Sequence, residues 1–166
     1  MTTPRLDHVS ITTADLVRSI GFYRDVLGLE LTATGEAAEP ELSDLVGLPG
    51  VRVRYAELSL GRTQILELLE YETPTGEPLD PTPNRPGATH LALAVPDLIP
   101  VKARLDAANA TVSKDVVTLT EEGEWNGVRT VYARDPDGVT IELVERAATV
   151  IELPEDGSDR ANRIPD

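Results

Sequence analysis

Apolar and polar positions alternate in short runs along this chain, and the runs recur. In HVSIT (8–12), Val9 and Ile11 oppose His8 and Ser10. In HLALAV (90–95), Leu91, Leu93 and Val95 oppose His90, Ala92 and Ala94. Period-two alternation marks a strand with one buried face. Seven residues after each histidine comes the same dipeptide, Asp15-Leu16 and Asp97-Leu98. Each opens an amphipathic stretch. Leu16, Ile20, Tyr23 and Leu27 recur at helical spacing up to Gly28, and Leu98, Val101 and Leu105 do so in the second copy. Gly28 suits the residue just past a helix, and Pro100 fits only a first turn, where its missing N–H costs little.

The copies also end alike. VRVRYAELSL and GRTQILELLEY read as a hairpin across Gly61, and GVRTVYAR and GVTIELVE as one across Asp137-Gly138. Matching ILELLE with TIELVE aligns Glu67 with Glu142. His8 to Glu67 spans 59 residues and His90 to Glu142 spans 52, so the excess of seven is expected in 36–50, as a loop or short helix. The pattern predicts an α+β chain of two β-α-β-β-β modules. Module one covers 5–71, a linker with five prolines covers 72–87, and module two covers 88–146; together 1–146 form one domain. An acidic, apolar-poor tail follows over 147–166, with Val150, Ile151 and Leu153 as its means of packing.

Alternation places His8, Glu67, His90 and Glu142 on the faces opposite Val9, Leu66, Leu91 and Ile141. Taken singly, a strand histidine is most often a hydrogen-bonded residue and a strand glutamate a solvated one. Together, both histidines of the chain and two glutamates occupy equivalent positions of a repeat. Polar groups taken out of water need a partner. Two neutral imidazoles and two carboxylates carry a charge of −2, which a divalent cation cancels. The N/O donor mixture suits Zn, Co, Ni, Mn or Fe better than Ca or Mg.

Composition narrows the partners. A net charge of −14 argues against nucleic acid and against anionic membrane surfaces. No apolar run has the length of a membrane span or of a signal peptide. The chain has no cysteine, so it has no disulfide and no thiolate nucleophile, and a reducing cytoplasm is the expected compartment.

DHVSITTADLVRSIGFYRDVLG, ATHLALAVPDL and YARDPDGVTIELVE, in that order, resemble the vicinal oxygen chelate superfamily, the glyoxalase / bleomycin resistance / dioxygenase fold. The resemblance covers about 5–146. It implies two βαβββ modules forming a cupped, barrel-like mixed sheet around a metal site. Its ligands, on the first and fourth strands of each module, match His8, Glu67, His90 and Glu142. Whether they meet within one chain or across a dimer is left open by the family, and a homodimer is expected on family grounds. The ELLE run further resembles methylmalonyl-CoA epimerase-like members.

Four ligands discriminate among branches. Ring-cleaving dioxygenases need further catalytic histidines, and this chain has none left. Three-ligand fosfomycin-type transferases would be crowded by Glu67, and bleomycin-binding members lack ligands. The resemblance then implies a metal-dependent isomerase, epimerase or lyase that removes a proton beside a metal-polarised carbonyl, on a small carbonyl or acyl-thioester substrate. Glu142 or Glu67 would be the base. The alternatives are a glyoxalase I-type lactoylglutathione lyase and a non-catalytic small-molecule binding or resistance protein.

Four further positions are candidate substrate contacts. Arg52 and Arg54 could hold a carboxylate or phosphate, although a surface salt bridge is the plainer reading. Tyr132 shares a face with Thr130 and Arg134 and could line the cavity, with packing as the plainer role. Trp125, in EEGEWNG, could close over it, against the reading of an exposed loop aromatic. Glu36, Glu39, Glu41 and Asp44 offer a second acid or base, but a solvated loop is the favoured reading.

Overall fold

A computed structural model describes residues 3–146, except 62, 113, 114 and 121. The tail expected over 147–166 lies outside the described residues. Two four-stranded mixed sheets repeat one topology. The first contains β1 (His8–Thr12), β2 (Glu30–Ala37), β3 (Arg52–Ser59) and β4 (Ile65–Thr73), in the order β1-β4-β3-β2. The second contains β5 (His90–Ala94), β6 (Val117–Thr118), β7 (Arg129–Arg134) and β8 (Thr140–Glu145), in the order β5-β8-β7-β6. In each, the first strand runs parallel to the last, and the middle pairings are antiparallel. The sheets are cupped and do not close into a barrel among the described residues.

A parallel pairing needs a crossover, and a helix provides it. Asp15 caps helix α1 (Leu16–Ile20), accepting from the Arg18 N–H at 3.0 Å. The helix does not stay regular to Gly28. It widens to a π-helix over Gly21–Val26, with Leu27 N–H donating to the Phe22 carbonyl. Successive α-helical positions sit about 100° apart. The wider turn brings the neighbours Phe22 and Tyr23 both inside, at 7% and 0% exposure. Asp97 caps α3 (Leu98–Ala107) in the same way, with Pro100 in its first turn. The 36–50 stretch ends β2 and holds the short helix α2 (Pro40–Val46). Residues 74–89 form neither helix nor strand, and the linker packs Pro81 against the β7–β8 turn, accepting from Arg134 at 3.1 Å.

The helix-covered faces of both sheets share one core. Leu58, Leu66 and Leu68 from the first join Ile141 and Leu143 from the second and Leu98 and Leu105 from α3. At about 25 cal/mol per Å² of apolar surface, this burial is the main stabilising term.

A polar junction fixes how the modules meet. Asp135, 5% exposed, ends β7. Its Oδ1 accepts from the N–H groups of Asp137 and Val139, shaping the tight turn in which Gly138 takes φ 91°. Its Oδ2 accepts from the Tyr23 hydroxyl at 2.9 Å. Asp137 accepts from Thr13 at 2.5 Å and from Arg18 at 2.6 Å. Module one's helix is thus tied to module two's hairpin by named hydrogen bonds.

Burial raises the Asp135 carboxyl above its ordinary 3.8, and burial likewise raises the Tyr23 hydroxyl. The folded state then binds the Asp135 proton where the unfolded chain has already lost it. This group's contribution to stability therefore falls as pH rises through the window above 3.8. Tyr23→Phe removes one donor from a buried carboxylate and is expected to cost about 1–3 kcal/mol at neutral pH. Urea denaturation of both proteins should show that gap, and it should narrow on acidification as Asp135 becomes protonated.

Candidate metal and substrate site

Crossover topology puts each histidine beside its glutamate. In register, His8 lies opposite Ile65 and Ser10 opposite Glu67; His90 lies opposite Thr140 and Ala92 opposite Glu142. Each glutamate is therefore two positions along the neighbouring strand from its histidine's partner, on the same face. His8 Nε2 is 4.0 Å from Glu67 Oε2, and His90 Nε2 is 3.3 Å from Glu142 Oε2. Both pairs face away from the helices. The histidine side chains are 50% and 48% exposed, whereas Glu67 and Glu142 are 26% and 14% exposed.

The lining differs between modules. Ser10 donates to Glu67 Oε2 at 2.6 Å, and Glu57 stands directly opposite Glu67 across the β3–β4 ladder. In module two, Thr130 donates to Glu142 Oε1 at 2.9 Å. Tyr132, directly opposite Glu142, shares a hydrogen bond with it and lies 5.7 Å from the His90 ring. Burial raises the Tyr132 hydroxyl above its ordinary value, with the Glu142 charge adding to it. The His8 imidazole is also raised, first by its hydrogen bond with Asp7 at 2.8 Å, against a lowering by burial.

The other candidates fall elsewhere. Arg54 pairs with Glu70 at 3.2 Å, and Glu70 also accepts the Leu16 N–H at the start of α1. Arg129, Glu145 and the Leu98 N–H repeat this triad in module two, at 2.8 and 2.7 Å. Arg54 therefore works at the helix side of its sheet. Arg52 reaches Glu72 at 3.6 Å. Trp125, 46% exposed, lies under the guanidinium of Arg146. Glu36 ends up on β2, Glu39 just before α2, and Glu41 and Asp44 on α2. Ser10 and Glu57 were not singled out from the sequence, although the alternation that selects His8 and Glu67 also selects them. A crevice of about 590 Å³ runs along β5, lined by Val9, Leu91, Ala92, Leu93, Ala94 and Val101, and neither histidine lines it.

Among the described residues, no three histidine, cysteine, aspartate or glutamate side chains converge as a metal site. The four expected ligands come together as two pairs. Each pair fits two neighbouring positions of an octahedral or tetrahedral shell. Two donors about 2.1 Å from one ion in neighbouring positions lie about 3 Å apart. His90 and Glu142 already match this spacing, and His8 and Glu67 need a shift of about 1 Å.

Comparison with known proteins places this arrangement. Residues 5–143 match the family model of the Glyoxalase/Bleomycin resistance protein/Dioxygenase superfamily. The chain belongs to that superfamily. A 2-epi-5-epi-valiolone epimerase from an Actinomyces species is 32% identical over 145 residues, 85% of this chain and 79% of that protein. A lactoylglutathione lyase from Haemophilus influenzae is 30% identical over 146 residues, 86% of this chain and 93% of that one. The crystal structure of a glyoxalase family protein from Bacillus cereus superposes with a TM-score of 0.76 at 25% identity, covering 87% of this chain and 95% of that chain. The two cupped βαβββ sheets are thus the superfamily fold. No helix of the described residues is long and apolar enough to cross a membrane.

Partners that orient a ligating group commonly matter about 10–100-fold in metal affinity. Thr130→Val leaves Glu142 Oε1 without its donor. Competition against a chromophoric chelator should show weaker Co²⁺ or Zn²⁺ binding by roughly that factor, with the fold unchanged by circular dichroism.

Proposed function

We propose that the protein is a metal-dependent isomerase, epimerase or lyase that moves a proton on the carbon beside a carbonyl. The observation that carries this reading is the His90–Glu142 pair at 3.3 Å, repeated as His8–Glu67 at the equivalent place of the other module. Relatives named as an epimerase and as a lactoylglutathione lyase support the same class. The substrate is a small carbonyl compound or acyl thioester.

His8, Glu67, His90 and Glu142 would hold one divalent ion of the Zn, Co, Ni, Mn or Fe group. When bound, such an ion polarises a carbonyl and stabilises the negative charge that develops on its oxygen. The proton moves through a carboxylate. Glu142 is fixed at one oxygen by Thr130 and is hydrogen-bonded with Tyr132. Glu67 has one hydroxyl donor, Ser10, and a second carboxylate opposite it. Glu67 is thus the freer of the two, and we assign it as the base, with Glu142 as the steadier ligand. Its Oε2 would take the substrate proton and return it to the same or a neighbouring carbon, with the Ser10 hydroxyl orienting it.

Both pairs stand on faces turned to solvent, and each supplies two donors. A homodimer in which module one of one copy faces module two of the other completes a four-donor shell.

A glyoxalase I-type reaction on a hemithioacetal is the second reading, favoured by the lyase relative. Metal analysis of the purified protein should find about one transition metal per chain, lost in His90→Ala and Glu142→Ala. Deuterium should wash in beside the carbonyl of an acyl thioester; loss of a hemithioacetal instead would select the second reading. Turnover that survives complete chelation would overturn both, and a ligand bound tightly and returned unchanged would point to a binding protein. Mixing His8→Ala with His90→Ala tests the dimer. Sites shared between copies restore one complete shell in the mixed dimer, and sites within a copy restore none.

A further inference from the structure

Among the described residues, Gly35 is the one glycine inside a strand, on β2. Glycine weakens a strand interior and marks a place where another group comes close. The group here is Tyr55, directly opposite on β3. A Cβ built at residue 35 would lie 2.5 Å from the Tyr55 hydroxyl oxygen and 2.6 and 2.7 Å from its Cζ and Cε1. The tyrosine side chain is therefore laid across β2, and any residue larger than glycine would lift it off the sheet. Its hydroxyl has no hydrogen-bond partner among the described residues.

Two rows of side chains cross the open face of module one. Ser10, Glu67, Glu57 and Ala33 stand opposite one another in the first, and Thr12, Leu69, Tyr55 and Gly35 in the second. Rows two residues apart along a strand are separated by about 7 Å, the width of one six-membered ring with its substituents. The first row carries Glu67, the base of the proposed reaction. The second is apolar apart from two hydroxyls. Neither row holds a lysine or arginine, which suits an uncharged substrate in a chain of net charge −14. Module two has no counterpart. Thr130 takes the place of Tyr55 and is committed to Glu142 at 2.9 Å, and β6, in the place of β2, is two residues long.

We propose that Tyr55, seated on Gly35, selects the substrate. Its ring carries the apolar face of a compact cyclic carbonyl compound, and its hydroxyl donates to an oxygen across that compound's ring from the reacting carbon. The inference rests on the reading that Glu67 takes the proton, and it narrows the substrate to an uncharged cyclic ketone with a remote hydroxyl. With the carbonyl end at Glu67, a single ring reaches the second row, and an acyclic chain makes no broad contact there. A tyrosine that merely covers a glycine would stabilise the sheet and leave ligand preference untouched.

The purified full chain is titrated, by ligand-observed NMR, with 4-hydroxycyclohexanone, with cyclohexanone, which lacks the hydroxyl, and with 2-hexanone, which lacks the ring. Dissociation constants should rise in that order, about fivefold at each step. Tyr55→Phe should erase the first step and keep the second. Tyr55→Ala should erase both. Gly35→Ala should weaken 4-hydroxycyclohexanone about fivefold or more, and this loss should vanish when Tyr55→Ala is added, because the lifted ring is its cause. Circular dichroism confirms that each variant is folded, and should Gly35→Ala fail to fold, the Tyr55→Phe and Tyr55→Ala ratios alone decide. Equal binding of the three probes by the wild type, binding of none, or ratios unchanged in Tyr55→Phe and Tyr55→Ala would overturn the assignment. Wild-type protein that holds no metal yet shows the expected ratios would overturn the proposed proton chemistry and leave Tyr55 as a binding residue. Metal held with flat ratios would do the reverse.

Discussion

The parallel pairing of each module's first strand with its last is the constraint on which the site depends. A chain that simply folded back would pair β1 with β2 and β3 with β4, and His8 would lie far from Glu67. The helix crossover instead returns the chain to the edge of the sheet. It delivers β4 beside β1 and β8 beside β5, in registers that set Ser10 against Glu67 and Ala92 against Glu142. Residues 59 apart in sequence become diagonal neighbours on one face. The capped starts of α1 and α3 keep those registers, because Glu70 and Glu145 on the last strands accept the first N–H of each helix.

Strand parity then separates two kinds of glutamate within a single motif. In ILELLE and TIELVE the acidic residues are three apart, an odd number, so they point to opposite faces. Glu70 and Glu145 turn toward the helices, where Arg54 and Arg129 neutralise them. Glu67 and Glu142 turn outward, where histidines are their neighbours. The same parity explains why Arg54 serves a helix terminus and not the His8–Glu67 pair.

Much of this was legible in the sequence, because period-two alternation and repeat equivalence are strong local signals. Both hairpins, the two helix starts and the placement of His8, Glu67, His90 and Glu142 on the open faces follow from them, and the 36–50 excess, expected as a loop or a short helix, holds a short helix. What was not legible depends on contacts across the chain. The π-helical widening after Ile20 arises because Phe22 and Tyr23 both find burial, the latter reaching Asp135 in the other module. Helical spacing alone leaves one of two adjacent aromatics outside. The role of Ser10 is set by a strand 57 residues away, and the stacking of Arg146 on Trp125 joins a loop to the end of a strand. The sequence also offers four candidate ligands without saying how they are distributed, since that depends on how the modules meet.

The junction between the modules bears on that last point. Tyr23, Thr13 and Arg18 bind the hairpin turn of module two, and the leucine-rich faces of both sheets merge in one core. With the helix-covered faces joined to each other, the open faces are left outward. The scaffold repeats closely, down to the Arg–Glu–helix triads, whereas the open faces have diverged. The residue opposite the outward glutamate is Glu57 in one module and Tyr132 in the other. Like charges directly opposite destabilise a sheet. Glu57 facing Glu67 is therefore a cost that a cation at that pair would relieve, whereas Tyr132 and Thr130 already satisfy Glu142. Two halves that differ in this way suit a site built from one of each, a firm half to hold and a looser half to move a proton.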